Sequence, residues 1–222
     1  MTDYVNTDKI NDKPQTISND VDILWLGSAI IKYKISMKMV DDINNAYDEK
    51  LKELTPHNND LAGKIKEENK VEELITDYMK ETFQKCFGKY IEFLNKQTKW
   101  ICRLNTVWIN EMRANEYNPL HNHTSAIADV GMSSVLMLKR PSTYGVEYSK
   151  EENPMNGHLD FTGGQQDPLS IAQGYVDAQV GEFYVFPYTL LHGVYPFNGT
   201  DEVRRTLSYN CDLIKPSLIH KD

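Results

Sequence analysis

Near Lys99 the hydrophobic period of the chain switches from helical to extended, and that switch limits the possible folds more than any other feature. Ahead of it, Val71, Leu74, Ile75, Tyr78, Met79, Phe83, Phe87, Tyr90, Ile91 and Leu94 recur at three- and four-residue intervals, which predicts an amphipathic helix over 71–94. A shorter set, Met39, Val40, Ile43, Tyr47, Leu51 and Leu54, keeps the same spacing behind Ser36, a residue suited to cap a first turn. Ile30 to Ile35 reads as a brief strand before it. Beyond Lys99 the apolar residues come in short runs of Trp, Val, Tyr and Phe between Asn, Gly and Pro clusters. These runs predict strands at 100–104, 106–112, 133–138, 158–162, 175–180, 182–186, 192–195 and 204–213. A helix with so long an apolar face needs a broad surface to cover it, and a sheet offers one. The expected class is therefore α+β, a β-sandwich or barrel with the helices packed on one sheet.

The same pattern sets the expected organisation. Residues 1–20 are polar with few apolar anchors and are expected to form a flexible lead-in. A single domain over 21–222 is expected to follow, with 21–98 mainly helical support and the strands in 99–214; a β-rich chain of 222 residues need not divide. Between the two helices, 55–70 reads as a charged connection with a short helix near 61–65 and with His57 exposed to solvent.

Composition narrows the function classes. A hydrophobic content of 40% allows a sizeable core, while a net charge of −8 disfavours binding to a nucleic-acid backbone. Cys86, Cys102 and Cys211 are odd in number and scattered, which fits neither a disulfide framework nor a zinc-binding pair and points to a reducing cytoplasm. No stretch approaches the ~18 apolar residues of a membrane helix, and Met1 to Asn19 lacks the basic-then-apolar order of a signal peptide, so a soluble protein without membrane partners is expected.

Three segments carry candidate chemistry. Asn118-Pro119-Leu120-His121-Asn122-His123 follows a strand, and residues two apart in an extended chain point to the same side, so His121 and His123 can converge on one ion; a polar turn is the plain alternative. Phe183 to Phe186 reads as a strand covered on both faces. Pro187 ends it, and His192 opens the next strand in a dry interior, either as a ligand or as a hydrogen-bonded core residue. In Arg204-Arg205-Thr206-Leu207-Ser208-Tyr209-Asn210, period-two alternation puts Arg204, Thr206 and Ser208 on one face and Arg205, Leu207 and Tyr209 on the other. If Leu207 and Tyr209 pack under the helices, Arg204 faces inward, where a guanidinium is costly unless it meets an anion. The alternative leaves both arginines on the surface beside Asp201 and Glu202.

Taken together, the order HxH, about 70 intervening residues, FP-x4-HGVYPF and RRTLSYN resembles the 2-oxoglutarate and Fe(II)-dependent oxygenases common in phages and marine bacteria. Trp108, Gly157-His158-Leu159-Asp160-Phe161 and Phe186-Pro187 also fit that pattern, which spans roughly 99–214. The resemblance implies a double-stranded β-helix (jelly roll), Fe(II) held by His121, His123 and His192, and 2-oxoglutarate gripped by Arg204 and Thr206. Arg205 is the fallback if the register slips by one. Asn110, on one face with Trp108 and Met112, is a candidate for the cosubstrate pocket, with an edge-facing polar residue as the alternative. The wider superfamily places a carboxylate where this chain has His123; were His123 the first ligand, Ser125 would fall at the next position.

The implied activity is hydroxylation of an unidentified substrate, a protein side chain or a small molecule, with release of succinate and CO2, in the host cytoplasm if the gene is carried by a phage. His158-Leu159-Asp160 also spells HxD, but too few residues separate it from His192 for the strands in between, so it is expected on a mid-barrel strand. Asp129 is a remote candidate ligand. Two other readings stay open: a cupin-like three-histidine dioxygenase without 2-oxoglutarate, and a non-catalytic jelly-roll binding or structural protein.

Overall fold

The computed structural model describes residues 27–94, 99–148, 154–164 and 172–215. The expected lead-in at 1–20 lies outside them. Among the described residues, ten strands and two α-helices come in the order β1 (Ile31–Lys34), α1 (Met37–Lys50), β2 (Glu67–Lys70), α2 (Asp77–Phe93), β3 (Ile101–Met112), β4 (Asn118–His121), β5 (Gly131–Lys139), β6 (Leu159–Thr162), β7 (Gln173–Val176), β8 (Glu182–Pro187), β9 (Leu191–Val194) and β10 (Arg204–Ile214). They form two antiparallel sheets, a major one of order β1-β8-β5-β10-β3-β2 and a minor one of order β4-β9-β6-β7. This is the expected double-stranded β-helix with helices on one sheet.

Each helix begins where a side chain fixes its first turn. The backbone N–H of Met39 donates to Ser36 Oγ at 3.3 Å, and that of Met79 donates to Thr76 Oγ1 at 3.4 Å. The second cap corrects the expected start at 71. Glu72–Leu74 is a 3₁₀ turn, and α2 proper begins only at Asp77, because Thr76 is extended and its hydroxyl takes up an N–H that the first turn leaves free. Val71, Leu74 and Ile75 are buried all the same, so their spacing recorded a shared face rather than one continuous helix.

Both helices pack on the outer face of the major sheet. Val40, Ile43, Tyr47, Phe83 and Phe87 join Ile109, Leu136, Phe183, Leu207 and Tyr209 in the main core. A second cluster lies between the sheets, with Val135, Met137, Tyr184 and Phe186 of the major sheet against Leu159 and Phe161 of the minor one. Sheets packed on each other bury alternate residues of each strand. On β5, accordingly, Leu136 and Leu138 go to the helices while Val135 and Met137 go to the interior.

Other boundaries depart from expectation for local reasons. The two strands predicted at 100–104 and 106–112 are one, because Asn105 sits at a β-bulge where the β3–β10 register shifts between Tyr209 and Cys211. No helix forms near 61–65. Instead β2 adds an edge strand to β3, with Glu68 opposite Asn110. The strand predicted at 175–180 runs from Gln173 to Val176. His57 is buried rather than exposed. Its ring meets Trp108 edge-on at 5.8 Å, and its backbone N–H donates to the Glu68 carbonyl at 2.7 Å, which holds it against the sheet.

Candidate metal centre

Strands β4 and β9 pair so that His121 lies directly opposite His192. The approach is close. A Cβ at position 193 would fall 2.7 Å from the Asn118 carbonyl oxygen, so a glycine there is what lets the two histidine strands meet. His123 lies just past β4, its backbone N–H donating to the Tyr188 carbonyl at 2.9 Å, and its ring reaches between the sheets toward Ser133 and Asn210. Among the described residues these three histidines form one group, with ligand atoms all within 4.8 Å of one another.

Hydrogen bonding decides which ring nitrogen each offers. His121 Nδ1 is 2.8 Å from the Pro119 carbonyl, and His192 Nδ1 is 2.9 Å from the Leu190 carbonyl. A carbonyl can only accept, so both Nδ1 atoms carry the proton and both Nε2 atoms keep a lone pair, the arrangement found where histidine ligates a metal. His123 Nε2 lies 3.0 Å from His192 Nε2. Two imidazole nitrogens, each ~2.1 Å from one ion and at right angles to one another, would lie about 3 Å apart.

The electrostatics agree. Burial pushes the His121 pKa below its ordinary value, against a smaller upward pull from the Pro119 carbonyl. Burial, then His121, lowers His123 to about 3. His192 is driven well below the ordinary value by burial and then by the other two rings. All three are neutral at pH 7, the state in which imidazole binds metal. Phe186, 4.5 Å from His192 between ring centroids, together with Trp108 at 6.0 Å and Tyr188 at 5.9 Å from His123, walls the cluster with aromatic surface.

An inner cavity of about 30 Å³ touches all three histidines, Asn110 and Thr206, and an outer one of about 290 Å³ opens from His121 and His123 toward His57, Trp108, Glu68 and Asn210. Asn110 and Thr206 face each other across β3 and β10. Asn110 is buried, and its Oδ1 has no hydrogen-bond partner. Arg204 holds the next interior position along β10. It is 2% exposed, its Nε donates to the Gly157 carbonyl at 3.0 Å, and its Nη2 is buried without a partner. Burial works against its charge, and the nearby Tyr144 only partly offsets this. Arg205 points the other way, into a cage of Glu111, Asp48 and Asn44 under the helices.

The remaining sequence candidates fall outside the cluster. His158 packs edge-on against Tyr144 at 6.3 Å and lies 4.0 Å from Asp177, while Asp160 accepts from Gln173 at 3.2 Å. Asp129 is exposed, and Ser125 Oγ accepts from the Ile127 N–H of its own loop at 3.2 Å. Two further residues stand at the site, Asn210 and Glu68, to which the sequence assigns no role. Asn210, whose Nδ2 is 3.4 Å from His123 Nδ1, continues the interior alternation of 204, 206 and 208 and could have been found that way. Glu68 gave no signal, because Glu67-Glu68-Asn69-Lys70 has the composition of a loop.

Comparison with known proteins fits this geometry. Residues 106–210, just under half of the chain, match the family model described as "Putative 2OG-Fe(II) oxygenase". Among solved structures, the prolyl-4-hydroxylase of Pseudomonas putida aligns with a TM-score of 0.55 at 11% identity, covering 83% of this chain and 92% of that one. The prolyl hydroxylase of Trichoplax adhaerens, in complex with a hypoxia inducible factor peptide fragment, aligns at 0.54 and 9% identity, covering 84% and 83%. The non-heme alpha ketoglutarate dependent carbocyclase SnoK from nogalamycin biosynthesis aligns at 0.56 and 11% identity, covering 85% and 82%. At such identities the shared property is the fold. No curated protein matches the sequence. Fe(II) and 2-oxoglutarate are the cofactors that the matched family and the three-histidine cluster support. Arg204 Nη2, buried and without a hydrogen-bond partner among the described residues, is a donor free to meet an anion.

Proposed function

We propose that this protein is a 2-oxoglutarate and Fe(II)-dependent dioxygenase that hydroxylates its substrate with release of succinate and CO2. One observation carries the reading: three histidines gather their ligand atoms within 4.8 Å of one another at an inner cavity lined by Thr206, and two residues along β10 from Thr206 stands Arg204, a buried guanidinium with an unpartnered Nη2. His121, His123 and His192 would hold the iron, and Arg204 would take the far carboxylate of 2-oxoglutarate, with Thr206 and Asn110 lining the space between. Iron with these partners and O2 supplies the oxidising chemistry. The chain positions it and keeps water out.

The protein's own contribution is orientation. Backbone carbonyls fix the rings of His121 and His192. For His123 that task falls to Asn210, whose Oδ1 is buried and unpartnered. A half-turn of the amide would let this oxygen accept the His123 Nδ1–H and free Nε2 for the metal. Three neutral imidazoles leave the site one positive charge above the usual two-histidine, one-carboxylate set. That donor set alone also suits a cupin-like dioxygenase, but such an enzyme needs no arginine to hold a cosubstrate, and Arg204 keeps a buried N–H donor unpaired.

Both halves of the chain contribute to one core, which supports treating 21–222 as a single oxygenase domain. No helix among the described residues is long and apolar enough to cross a membrane. The three cysteines are free, which supports a reducing, cytoplasmic setting. The test is an anaerobic titration with Fe(II) and then 2-oxoglutarate. Wild type should develop a visible charge-transfer band that His192→Ala lacks; no band in wild type would overturn the assignment.

A further inference from the structure

Glu68 is 1% exposed, and neither carboxylate oxygen has a hydrogen-bond partner. It stands on the interior face of β2, opposite Asn110, and lines the outer cavity beside His121 and His123. A Cβ on Gly63 would come within 2.5 Å of Glu68 Oε1, so the 61–63 segment lies directly against the carboxylate. A buried carboxylate without partners is costly, and a fold that keeps one has its partner elsewhere.

Nothing among the described residues neutralises it. The charge acting on it from another element is Glu116, an acid whose own oxygens already accept from the backbone N–H groups of Lys66 and Arg113. Burial first, then Glu116, raises the Glu68 pKa to about 7. The other acid on the lining, Asp60, is exposed and engaged with His57 at 3.2 Å and Lys70 at 3.8 Å. Among the described residues no lysine or arginine lines this cavity. Fe(II) with the 2-oxoglutarate dianion is neutral as a pair and would leave Glu68 uncompensated.

We propose that the outer cavity takes a substrate bearing an ammonium or guanidinium group, with Glu68 as the anion that binds it beside the metal. The proposal rests on the oxygenase reading for its chemistry, but the cation site stands on Glu68 alone. A charge-assisted pair of this kind favours the cation over a neutral isostere by about 10- to 100-fold. The cation could arrive on a free amine or on a basic side chain of a peptide, and both present the same group.

The experiment is calorimetric titration of metal-loaded protein with agmatine and with the capped peptides acetyl-Gly-Arg-Gly-amide and acetyl-Gly-Lys-Gly-amide. Capped Gly-norleucine-Gly and Gly-Glu-Gly serve as neutral and anionic controls. Wild type should bind a cationic probe at least tenfold tighter than the norleucine control, and Glu68→Gln should remove that preference. Agmatine outcompeting the peptides would assign a small-molecule amine, and the reverse a protein side chain. Equal affinity of wild type for cationic and neutral probes, no measurable binding of any cation, or a preference that survives in folded Glu68→Gln would overturn the proposal. The Fe(II)–2-oxoglutarate band, read on the same wild-type sample, reports on the oxygenase reading independently.

Discussion

Arg204 and Arg205 are neighbours in the chain and almost equally buried, at 2% and 3% exposure, yet β10 sends them to opposite worlds. Arg205 is satisfied on every side. Its Nε donates to Glu111 at 2.6 Å, Nη1 to Asn44 at 3.1 Å and Nη2 to Asp48 at 2.6 Å, and the guanidinium stacks 4.5 Å above the Tyr47 ring. Arg204 has one backbone carbonyl and an empty-handed Nη2. A cation that serves the fold is neutralised by the fold. One that serves a ligand keeps part of its hydrogen-bonding capacity open, and the difference is legible without seeing the ligand.

The sharpest way to break the comparison is to remove each arginine in turn. Arg205→Ala leaves buried Glu111 with only the longer contact to Arg113 at 3.5 Å and should cost about 3–5 kcal/mol of stability in urea unfolding. A cost below about 1 kcal/mol would show that the cage is not structural. Arg204→Ala should cost less stability than Arg205→Ala, since it breaks one hydrogen bond, to the Gly157 carbonyl, and no ion pair. It should weaken 2-oxoglutarate binding by roughly 100-fold, about 2.7 kcal/mol, in calorimetry of the metal-loaded protein. A stability loss equal to that of Arg205→Ala would make the two residues alike.

The histidines extend the contrast to pH. In the metal-free protein their folded pKa values lie below the unfolded value near 6.5, with His123 at about 3. The unfolded chain therefore binds more protons between those limits. Stability is greatest above pH 6.5 and falls as the pH drops toward 3, by up to ~1.4 kcal/mol per pH unit for each histidine. Chemical unfolding at a series of pH values should show that slope flattened in His123→Gln. The smallest effect belongs to Asn210→Ala, which should lower metal affinity about tenfold in a Co(II) titration while leaving the fold intact.

What the sequence disclosed and withheld follows from the range of the interactions involved. The two faces of β10 were legible because period-two alternation is local, and the helices because their spacing is local too. The meeting of His121 and His192 rested on a resemblance, since residues so far apart in the chain carry no mutual signal until β4 and β9 pair. Glu68 was hidden altogether. Four polar residues become a strand only because β3 offers an unpaired edge, and the carboxylate becomes unusual only once Gly63 lies across it. His57 was misplaced for the same reason, its burial being supplied by Trp108 on β3, which is distant in sequence.

The most direct test that the three histidines and Arg204 serve one site is a crystal structure of the protein loaded anaerobically with Mn(II) and 2-oxoglutarate, with anomalous scattering recorded to place the ion. The ion should lie within bonding distance of Nε2 of His121, His123 and His192, with the far carboxylate of 2-oxoglutarate on Arg204 Nη2. An ion held elsewhere, or a cosubstrate that leaves Arg204 Nη2 as bare as before, would contradict the account.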